Sequence, residues 1–381
     1  MLAIVLITAA FIVLLSVFNG FEGLVKSLYS TFYTDLRIIP ASGKILTINK
    51  SQEQQLHSIT DIRSFSYVVE EEALLQNQDI TSPVFIKGVD SNYSSVTGVA
   101  SKVIRGDFNL GTVDRPSIVL GSGIENALAV ESDKNIFPLT AYMFRRGVNI
   151  NVIDPLQAFA AENITTTGTF FIQQDIDNKY AITNVAFVKR MMSMKPDEYG
   201  SVEIAVEAPG KTEVVKKQLE KLFGKGYVVE TIYEQNKSLY SVMTLEKWAI
   251  YGVLTLMLIV ATFTMVGALT MLVLEKQKDI QVLKSMGARR QLVQKIFLTE
   301  GLLLASIGTI SGMILAIIIC WAQVKFKLVP IEGGTFLIDH YPVVLLPVDL
   351  LIVFTTVIII AFIASWFPSR KAALQPIELK S

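Results

Sequence analysis

The sequence predicts a membrane α-helical protein with four transmembrane helices and one large α+β extracytoplasmic domain. Hydrophobic residues make up 51% of the 381 residues and charged residues only 18%, which is unusual for a soluble fold of this length. Four stretches are apolar over a length that can cross the hydrocarbon, where a helix satisfies its own backbone polar groups. Residues 19–247 form a long, more polar insert between the first two of these stretches.

The positions and the orientation of the spans follow from hydropathy and from the basic residues. The predicted spans are residues 1–18, 248–274, 301–324 and 348–367. The connection 275–300 and the tail 368–381 are rich in Lys and Arg, and such loops remain in the cytoplasm. The insert 19–247 and the short hairpin 325–347 are therefore predicted to lie on the extracytoplasmic side.

The first span begins at Met1, with no basic residue before it and no small-residue cleavage site after it. A secretory signal peptide requires both features, so this segment is predicted to remain as a transmembrane helix. We expect that the N-terminus is truncated and that a cytoplasmic segment precedes Met1 in the complete protein.

The insert 19–247 has the mixed pattern of an α+β domain. Apolar residues alternate, as in half-buried strands, at residues 64–69, 84–89, 117–120, 169–173 and 201–206. Gly and Pro cluster at residues 106–116 and 194–200. This punctuation predicts a middle lobe, at about residues 116–198, inserted into a split outer lobe.

The end of the insert is predicted to lead into the second span through a helical stalk. An amphipathic helix is expected over residues 213–223, with Thr212 as its N-cap and Gly224 as the residue that ends it. After a strand at 227–231, the chain is expected to continue from Tyr233 into the second span without a break. A rigid helix can transmit movement between the domain and the membrane, or it can serve as an anchor alone, and both interpretations are open.

Composition argues against several classes of function. Basic and acidic residues balance at 34 each, so no overall charge predicts a nucleic-acid partner. The single cysteine, Cys320, lies in an apolar run and cannot form a disulfide within one chain or a cysteine metal site. The histidines, His57 and His340, are far apart in sequence, so neither a metal centre nor a histidine-dependent triad is predicted.

Two glycine-containing segments match nucleotide-binding patterns only in part. Residues 205–212 satisfy a permissive phosphate-loop pattern, but the loop has one glycine, and Pro209 removes an N–H donor. The loop is also predicted to lie outside the cytoplasm, away from ATP. Residues 121–126 resemble the start of a dinucleotide fingerprint, but Asn126 stands where the third glycine belongs. Neither segment is predicted to bind a nucleotide.

Acidic residues do not form a convincing catalytic set. Residues 70–72 are consecutive glutamates, whose side chains alternate between the two faces of a strand. Asp175 and Asp177 share a face, but paired acids without a pocket are weak support for glycoside chemistry. No catalytic residue is predicted, and the chain is not expected to be an enzyme.

The cytoplasmic connection is predicted to contain a short amphipathic helix. Ile280, Leu283 and Met286 recur at helical spacing, and Gly287 is expected to end the helix. Such a helix can lie in the headgroup layer of the membrane. Its short length, mixed charge and place between two spans favour instead an apolar ridge that docks into a groove on a cytoplasmic partner.

This connection resembles the coupling region of FtsX-like and MacB-like ABC transporter permeases. The positions that carry the resemblance are Glu275, Lys276, Asp279, Ile280, Leu283, Lys284, Met286, Gly287 and Ala288, followed by Gly301, Gly308 and Gly312. The tail, with Pro368, Arg370, Ala372, Pro376 and Glu378, is similar to the C-terminal signature of that family. Within the family, residues 16–22 and 233–247 are most similar to the Lol-type lipoprotein-releasing permeases.

The resemblance implies a fold, a location and a set of partners. It implies a MacB-like periplasmic core domain with an inserted lobe, on a multi-pass protein of the bacterial inner membrane. It implies a dimer with a second permease copy or a paralogue, driven by mechanotransmission from a separate cytoplasmic ABC ATPase. ATP and Mg would be bound by that partner, and no cofactor by this chain. The residues implied to contact the ATPase are the coupling positions from Glu275 to Ala288 named above, together with Arg289.

For the Lol branch, the resemblance implies lipoprotein cargo and a periplasmic chaperone that receives it. The acyl chains of the cargo would enter from the membrane lipid between the first and second spans. The apolar residues expected to line that path are Leu15, Phe18, Phe21, Met257, Val260 and Phe263. Helix packing or contact with lipid explains the same side chains, so both interpretations stay open.

Three other functions are weighed against lipoprotein release. A MacB-type exporter would drive a periplasmic adaptor and expel peptides or small molecules. An FtsX-type signal transducer would activate a cell-wall hydrolase and would have a much smaller extracytoplasmic domain. A purely structural membrane protein would not need a helix that resembles a coupling helix.

Overall fold

The computed structural model describes residues 2–134, 137–145, 159–330 and 340–374. The chain divides into two compact units, one formed by Met1–Val25 with Leu239–Ser381 and the other by Lys26–Ser238. The first unit carries the apolar helices and the second contains the strands. The part predicted to be α+β is therefore a separate compact unit, and the membrane α-helical and α+β fold class is confirmed.

The elements of the described residues are as follows. The helices are α1 (Leu2–Phe32), α2 (Lys50–Ser58), α3 (Tyr93–Val96), α4 (Ser122–Ala127), α5 (Gln174–Asp177), α6 (Val185–Met191), α7 (Thr212–Phe223), α8 (Ile232–Gln235), α9 (Lys237–Glu275), α10 (Gln277–Ser285), α11 (Arg290–Phe326) and α12 (Pro347–Leu374). The strands are β1 (Leu36–Pro40), β2 (Leu46–Thr47), β3 (Ile62–Asn77), β4 (Ile80–Val89), β5 (Val103–Gly106), β6 (Ser117–Gly121), β7 (Leu139–Phe144), β8 (Phe159–Phe170), β9 (Tyr180–Asn184), β10 (Glu198–Tyr199), β11 (Ser201–Val206) and β12 (Tyr227–Thr231).

Four helices of the described part are long and apolar enough to cross a membrane: α1, α9, α11 and α12. Each overlaps one predicted span and extends beyond its C-terminal end, and Met1 of the first predicted span lies outside the described residues. In α1 the helix continues to Phe32, and α9 begins at Lys237. The span boundaries proposed from hydropathy stay predictions, because a helix can continue past the hydrocarbon on either side.

The membrane unit packs closely where its helices carry small residues. A Cβ at Gly312 of α11 would lie 2.6 Å from the carbonyl oxygen of Val5 in α1. A Cβ at Gly301 would lie 2.2 Å from Ser365 Oγ in α12. Interfaces between membrane helices favour small residues because these allow the backbones to approach. Gly301 and Gly312 of the α11 motif are therefore explained by packing.

The second unit is built on one ten-stranded sheet within the described residues. Its order is β12-β1-β11-β3-β4-β9-β6-β8-β5, and β7 pairs with both β3 and β8. The pairings β3-β4-β9-β6-β8-β7 therefore return to β3 and close a ring of strands. The long β3–β4 hairpin keeps one register from Val68↔Val89 to Asn77↔Ile80.

Three hydrophobic cores lie in the second unit within the described residues. One core contains Leu36, Leu56, Val202 and Leu219, from the outer strands and from α2 and α7. Another contains residues of β3, β4, β6 to β9, α4 and α6. The third contains Phe32, Tyr93 and Phe170. Because the second of these cores includes β3 and β4, which precede residue 116, the cores do not follow the predicted lobe boundaries at residues 116 and 198, and the lobe limits stay predictions.

Two local expectations for the end of the insert are wrong. Helix α7 begins after Lys211, which has no side-chain capping bond, so Thr212 is the first helical residue rather than the N-cap. Gly224 does end the helix, with φ of 69°. The stalk is interrupted at Asn236, whose Nδ2 donates to Ile232 O at 3.2 Å. A local side-chain bond of this kind competes with helix continuation.

Candidate coupling helix and transmembrane site

The connection between the second and third spans folds into α10, as predicted, and the helix ends in a Schellman motif. Met286 is the C-cap, and Gly287 has φ of +91°, a left-handed conformation that glycine adopts without strain. Gly287 N donates to Lys284 O, and Ala288 N donates to Leu283 O, both at 3.0 Å. This pattern satisfies carbonyls that the helix end leaves free. The Met-Gly-Ala sequence is thus a helix stop that turns the chain into α11.

The apolar face of α10 does not point as one ridge toward a partner. Ile280 is only 2% exposed and packs in a cluster with Val273, Val293, Phe297 and Ala372. The expectation that Ile280 belongs to an exposed docking ridge is therefore wrong. Ile280 is buried because α11 and α12 pack beside α10. This tertiary contact cannot be predicted from helical spacing. Ile280 instead holds α10 against its own unit.

Lys284 gives α10 a second internal anchor. Its Nζ donates to the carbonyl oxygen of Ala373, near the C-terminus of α12, at 3.0 Å. A cation at a helix C-terminus interacts favourably with the carbonyls that have no partner within the helix. Burial, and after it the nearby Arg290 guanidinium, lowers the pKa of Lys284. Lys284 thus binds α10 to α12 within the unit, and this contact directs its ammonium group inward.

The remaining coupling residues form the accessible side of α10. Met286 is 77% exposed and Val282, which the sequence interpretation passed over, is 58% exposed. Lys276 and Asp279 form an exposed ion pair at 3.1 Å. Glu275, Gly287 and Arg289 are also exposed, whereas Leu283 and Ala288 are partly buried. The exposed side of α10 therefore carries a small apolar patch, Val282 and Met286, beside charged side chains.

The residues expected to line a cargo path fall into two groups. Met257, Val260 and Phe263 are well exposed on α9, on the side opposite its buried residues such as Leu258 and Met265. Phe263 contributes to an apolar groove of about 420 Å³ between α9 and α12, rather than between the first and second spans.

The α1 residues of the expected path are less accessible. Leu15 is 2% exposed in the core of the membrane unit, which agrees with the helix-packing interpretation of this residue, and its contact with cargo stays a prediction. Phe18 is partly buried, and Phe21 is 38% exposed.

Sequence reasoning missed a polar cluster at the end of the bundle that is opposite α10. Lys247 of α9 donates to Asn19 of α1 at 2.9 Å, and Asn19 also contacts Asp349 of α12. The signal that could have found it is the presence of ionisable residues at the ends of apolar spans, which commonly indicates a function.

The motifs set aside as decoys have structural explanations. A Cβ at Gly121 would lie 2.2 Å from Asp177 O, and a Cβ at Gly123 would lie 1.7 Å from Asn178 Oδ1. These glycines therefore allow α4 to pack against α5. Lys211 forms an ion pair with Asp61.

Asp177 is a buried carboxylate with a structural partner. It is 1% exposed and accepts a hydrogen bond from Ile172 N at 3.0 Å. Desolvation by burial outweighs the backbone donors and raises the pKa of Asp177 to about 6.

The α+β unit has an ion pair at its centre. Lys87 Nζ lies 2.7 Å from Glu203 Oε1, and the side chains are 2% and 4% exposed. Burial opposes the charged ammonium, but the Glu203 carboxylate outweighs it, so the pKa of Lys87 is raised. The Lys87 ammonium also lies 4.5 Å from the ring centroid of Phe32, the last residue of α1. Phe32 and Lys87 belong to the same compact unit, so this contact lies within the α+β unit.

This chain is similar in sequence to known proteins. The family model described as FtsX-like permease C-terminal matches residues 251–377. The lipoprotein-releasing system transmembrane protein LolE of Haemophilus influenzae is 25% identical over 395 residues, covering 100% of this chain and 92% of that protein. The corresponding LolC of Neisseria meningitidis serogroup B is 25% identical over 388 residues, covering 97% and 90%.

The solved structure of the periplasmic region of MacB from Actinobacillus actinomycetemcomitans aligns with a TM-score of 0.38 at 12% identity, covering 57% of this chain and 98% of that chain. The match of residues 251–377 and the near full-length similarity to LolC and LolE confirm the resemblance inferred from the coupling and tail motifs. The chain is a multi-pass protein of the inner membrane that contains an FtsX-like permease domain at residues 251–377 and is similar along its length to the Lol-type permeases.

Proposed function

We propose that this chain is the permease subunit of a mechanotransmission complex that extracts lipoproteins from the inner membrane and transfers them to a periplasmic chaperone. The observation that carries the proposal is the extent of similarity to proteins named as lipoprotein-releasing. The match to LolE spans all of this chain and 92% of that protein, so it includes the extracytoplasmic unit as well as the spans.

In this proposal the energy comes from a separate ABC ATPase, which binds ATP and Mg. The exposed patch of Val282 and Met286, with the Lys276–Asp279 pair beside it, is the surface that docks on that ATPase. Ile280 and Lys284 fix α10 to the ends of α11 and α12, so a displacement of α10 moves those helices with it. A second permease copy or a paralogue completes the complex.

Depletion of the chain in its own bacterium tests the proposal. Lipoproteins destined for the outer membrane are expected to accumulate in the inner membrane, as measured by membrane fractionation and immunoblotting. Complementation with the wild-type gene should restore sorting, whereas a variant with Val282→Ser and Met286→Ser should restore protein level but not sorting. Normal sorting after depletion, together with loss of drug or peptide export or of cell separation, would contradict lipoprotein release and favour the exporter or the signal transducer.

A further inference from the structure

Three polar side chains from three helices meet at the end of the bundle that is opposite α10. Lys247 Nζ donates to Asn19 Oδ1 at 2.9 Å, Asn19 Nδ2 donates to Asp349 Oδ2, and Lys247 Nζ lies 3.8 Å from Asp349 Oδ1. Asn19 is 6% exposed and Asp349 is 8% exposed. Burial of ionisable side chains at the end of an apolar span costs free energy. A buried cluster of this kind therefore indicates a function.

Asn19 is the pivot of this cluster. Its amide oxygen accepts from the cation while its amide nitrogen donates to the carboxylate, so one side chain of α1 bonds both charges. Hydrogen bonds to ionised groups are stronger than those between neutral groups. Helix α1 can move away from α9 and α12 at this end only if both bonds break.

The loop before α12 holds the same end of α1. Val344 N donates to Ser16 O at 2.9 Å, and Asn19 Nδ2 lies 3.5 Å from Val344 O. A Cβ at Gly20 would lie 2.2 Å from the carbonyl oxygen of Pro342, so glycine is needed for this approach. The contacts with this loop and with the two charged residues all converge on one turn of α1.

The cluster lies directly beside a buried apolar position. Leu15 is one helical turn before Asn19 on the same face of α1, and it packs in the core that contains Leu254 and Leu258 of α9. Leu15 is 2% exposed while the cluster is intact. Separation of α1 from α9 at this end would expose it to the membrane lipid.

We propose that Asn19, Lys247 and Asp349 form a latch that holds α1 against α9 and α12 and thereby controls access of a lipid-anchored chain to the apolar seam between α1 and α9. The inference rests on the proposed function for the nature of the cargo. Asn19 acts as a positioning residue: it holds the helix, and it need not touch the cargo itself.

The latch is tested by the accessibility of residue 15 in the complete permease–ATPase complex in nanodiscs without nucleotide. A Leu15→Cys substitution in a Cys320→Ser background provides a single thiol in this chain, and its reaction rate with N-ethylmaleimide, followed by mass spectrometry of this subunit, reports opening of the seam. Asn19→Leu and Lys247→Met are each expected to raise the rate at least about tenfold, the factor that corresponds to roughly 1.4 kcal/mol. Glu246→Gln, a change of charge at the exposed neighbouring position, should leave the rate unchanged.

A conservative replacement separates the latch from a general loss of folding. In Lys247→Arg the side chain keeps its charge and its length, so it can still donate to Asn19 Oδ1 and the rate should remain close to that of the parent. Unchanged rates in Asn19→Leu and Lys247→Met, or a Lys247→Arg variant that reacts as fast as Lys247→Met, would overturn the latch. The thiol reaction needs no cargo, so the latch and the lipoprotein assignment fail independently of each other.

Discussion

Met286 and Ile280 provide a matched pair of substitutions that separates the docking surface of α10 from its internal anchor. Met286 is 77% exposed and Ile280 is 2% exposed, although the two residues are only six positions apart in one short helical segment. If Met286 becomes buried on the ATPase, its truncation to alanine removes part of a contribution of about 1.5–3 kcal/mol for a fully buried side chain. We therefore expect association weaker by roughly 1–2 kcal/mol, or about five- to thirtyfold in Kd.

Ile280→Ala should have the opposite profile. The side chain fills a cluster between α10, α11 and α12, and truncation of a buried isoleucine costs roughly 2–5 kcal/mol. The thermal stability of the purified permease should therefore fall for Ile280→Ala and remain unchanged for Met286→Ala. The assay is the affinity for the ATPase in detergent, measured beside a thermal unfolding curve for each variant. Wild-type affinity for Met286→Ala would refute the assignment of the docking surface.

Three further substitutions test the structural arguments. Gly287→Ala places a side chain at φ of +91° and should cost roughly 1–2 kcal/mol, seen as a lower unfolding temperature, whereas Gly287→Asn should be better tolerated. Lys87→Met leaves the Glu203 carboxylate unpaired in the core and should destabilise the protein by about 3–5 kcal/mol. A double variant that also carries Glu203→Leu should recover most of that loss, and a single variant as stable as wild type would contradict the argument. Asp177 has its pKa raised to about 6 in the folded protein from an ordinary value of 3.8, so the folded state retains a proton that the unfolded chain loses. Its contribution to stability is therefore greatest below pH 4, falls as the pH rises from about 4 to 6, and is constant above this window. Asp177→Asn should remove this dependence and gain up to roughly 3 kcal/mol at pH 7.5 relative to wild type, with little difference at pH 4.

The features that were predicted correctly from sequence depend on local chemistry. Each span is an unbroken apolar run, because hydrocarbon demands that every backbone polar group be satisfied within the helix. Gly287 could be identified as the residue that ends α10 because the end of a helix depends on the local backbone conformation, which glycine can adopt with a positive φ. The strand at residues 201–206 follows from composition and lies in the sheet as β11.

The features that were missed depend on which distant segments meet. Ile280 and Met286 belong to the same helical pattern of apolar residues in the sequence and have similar hydrophobicity. Ile280 is buried because α11 and α12 pack against it, whereas Met286 remains exposed. Asn19 lies 228 positions from Lys247 and 330 from Asp349, so no local pattern brings them together. The buried position of Leu15 follows from the same packing of α1 against its neighbours.

Reconstituted transfer tests the central claim most directly. The permease and its ATPase are placed in proteoliposomes with a lipidated protein, and the soluble chaperone is added outside with ATP. We expect the lipoprotein to appear in complex with the chaperone only with ATP and Mg, and transfer to fail when Val282 and Met286 are both replaced by serine. A complex that hydrolyses ATP but leaves the lipoprotein in the membrane, with an active chaperone present, would contradict the account.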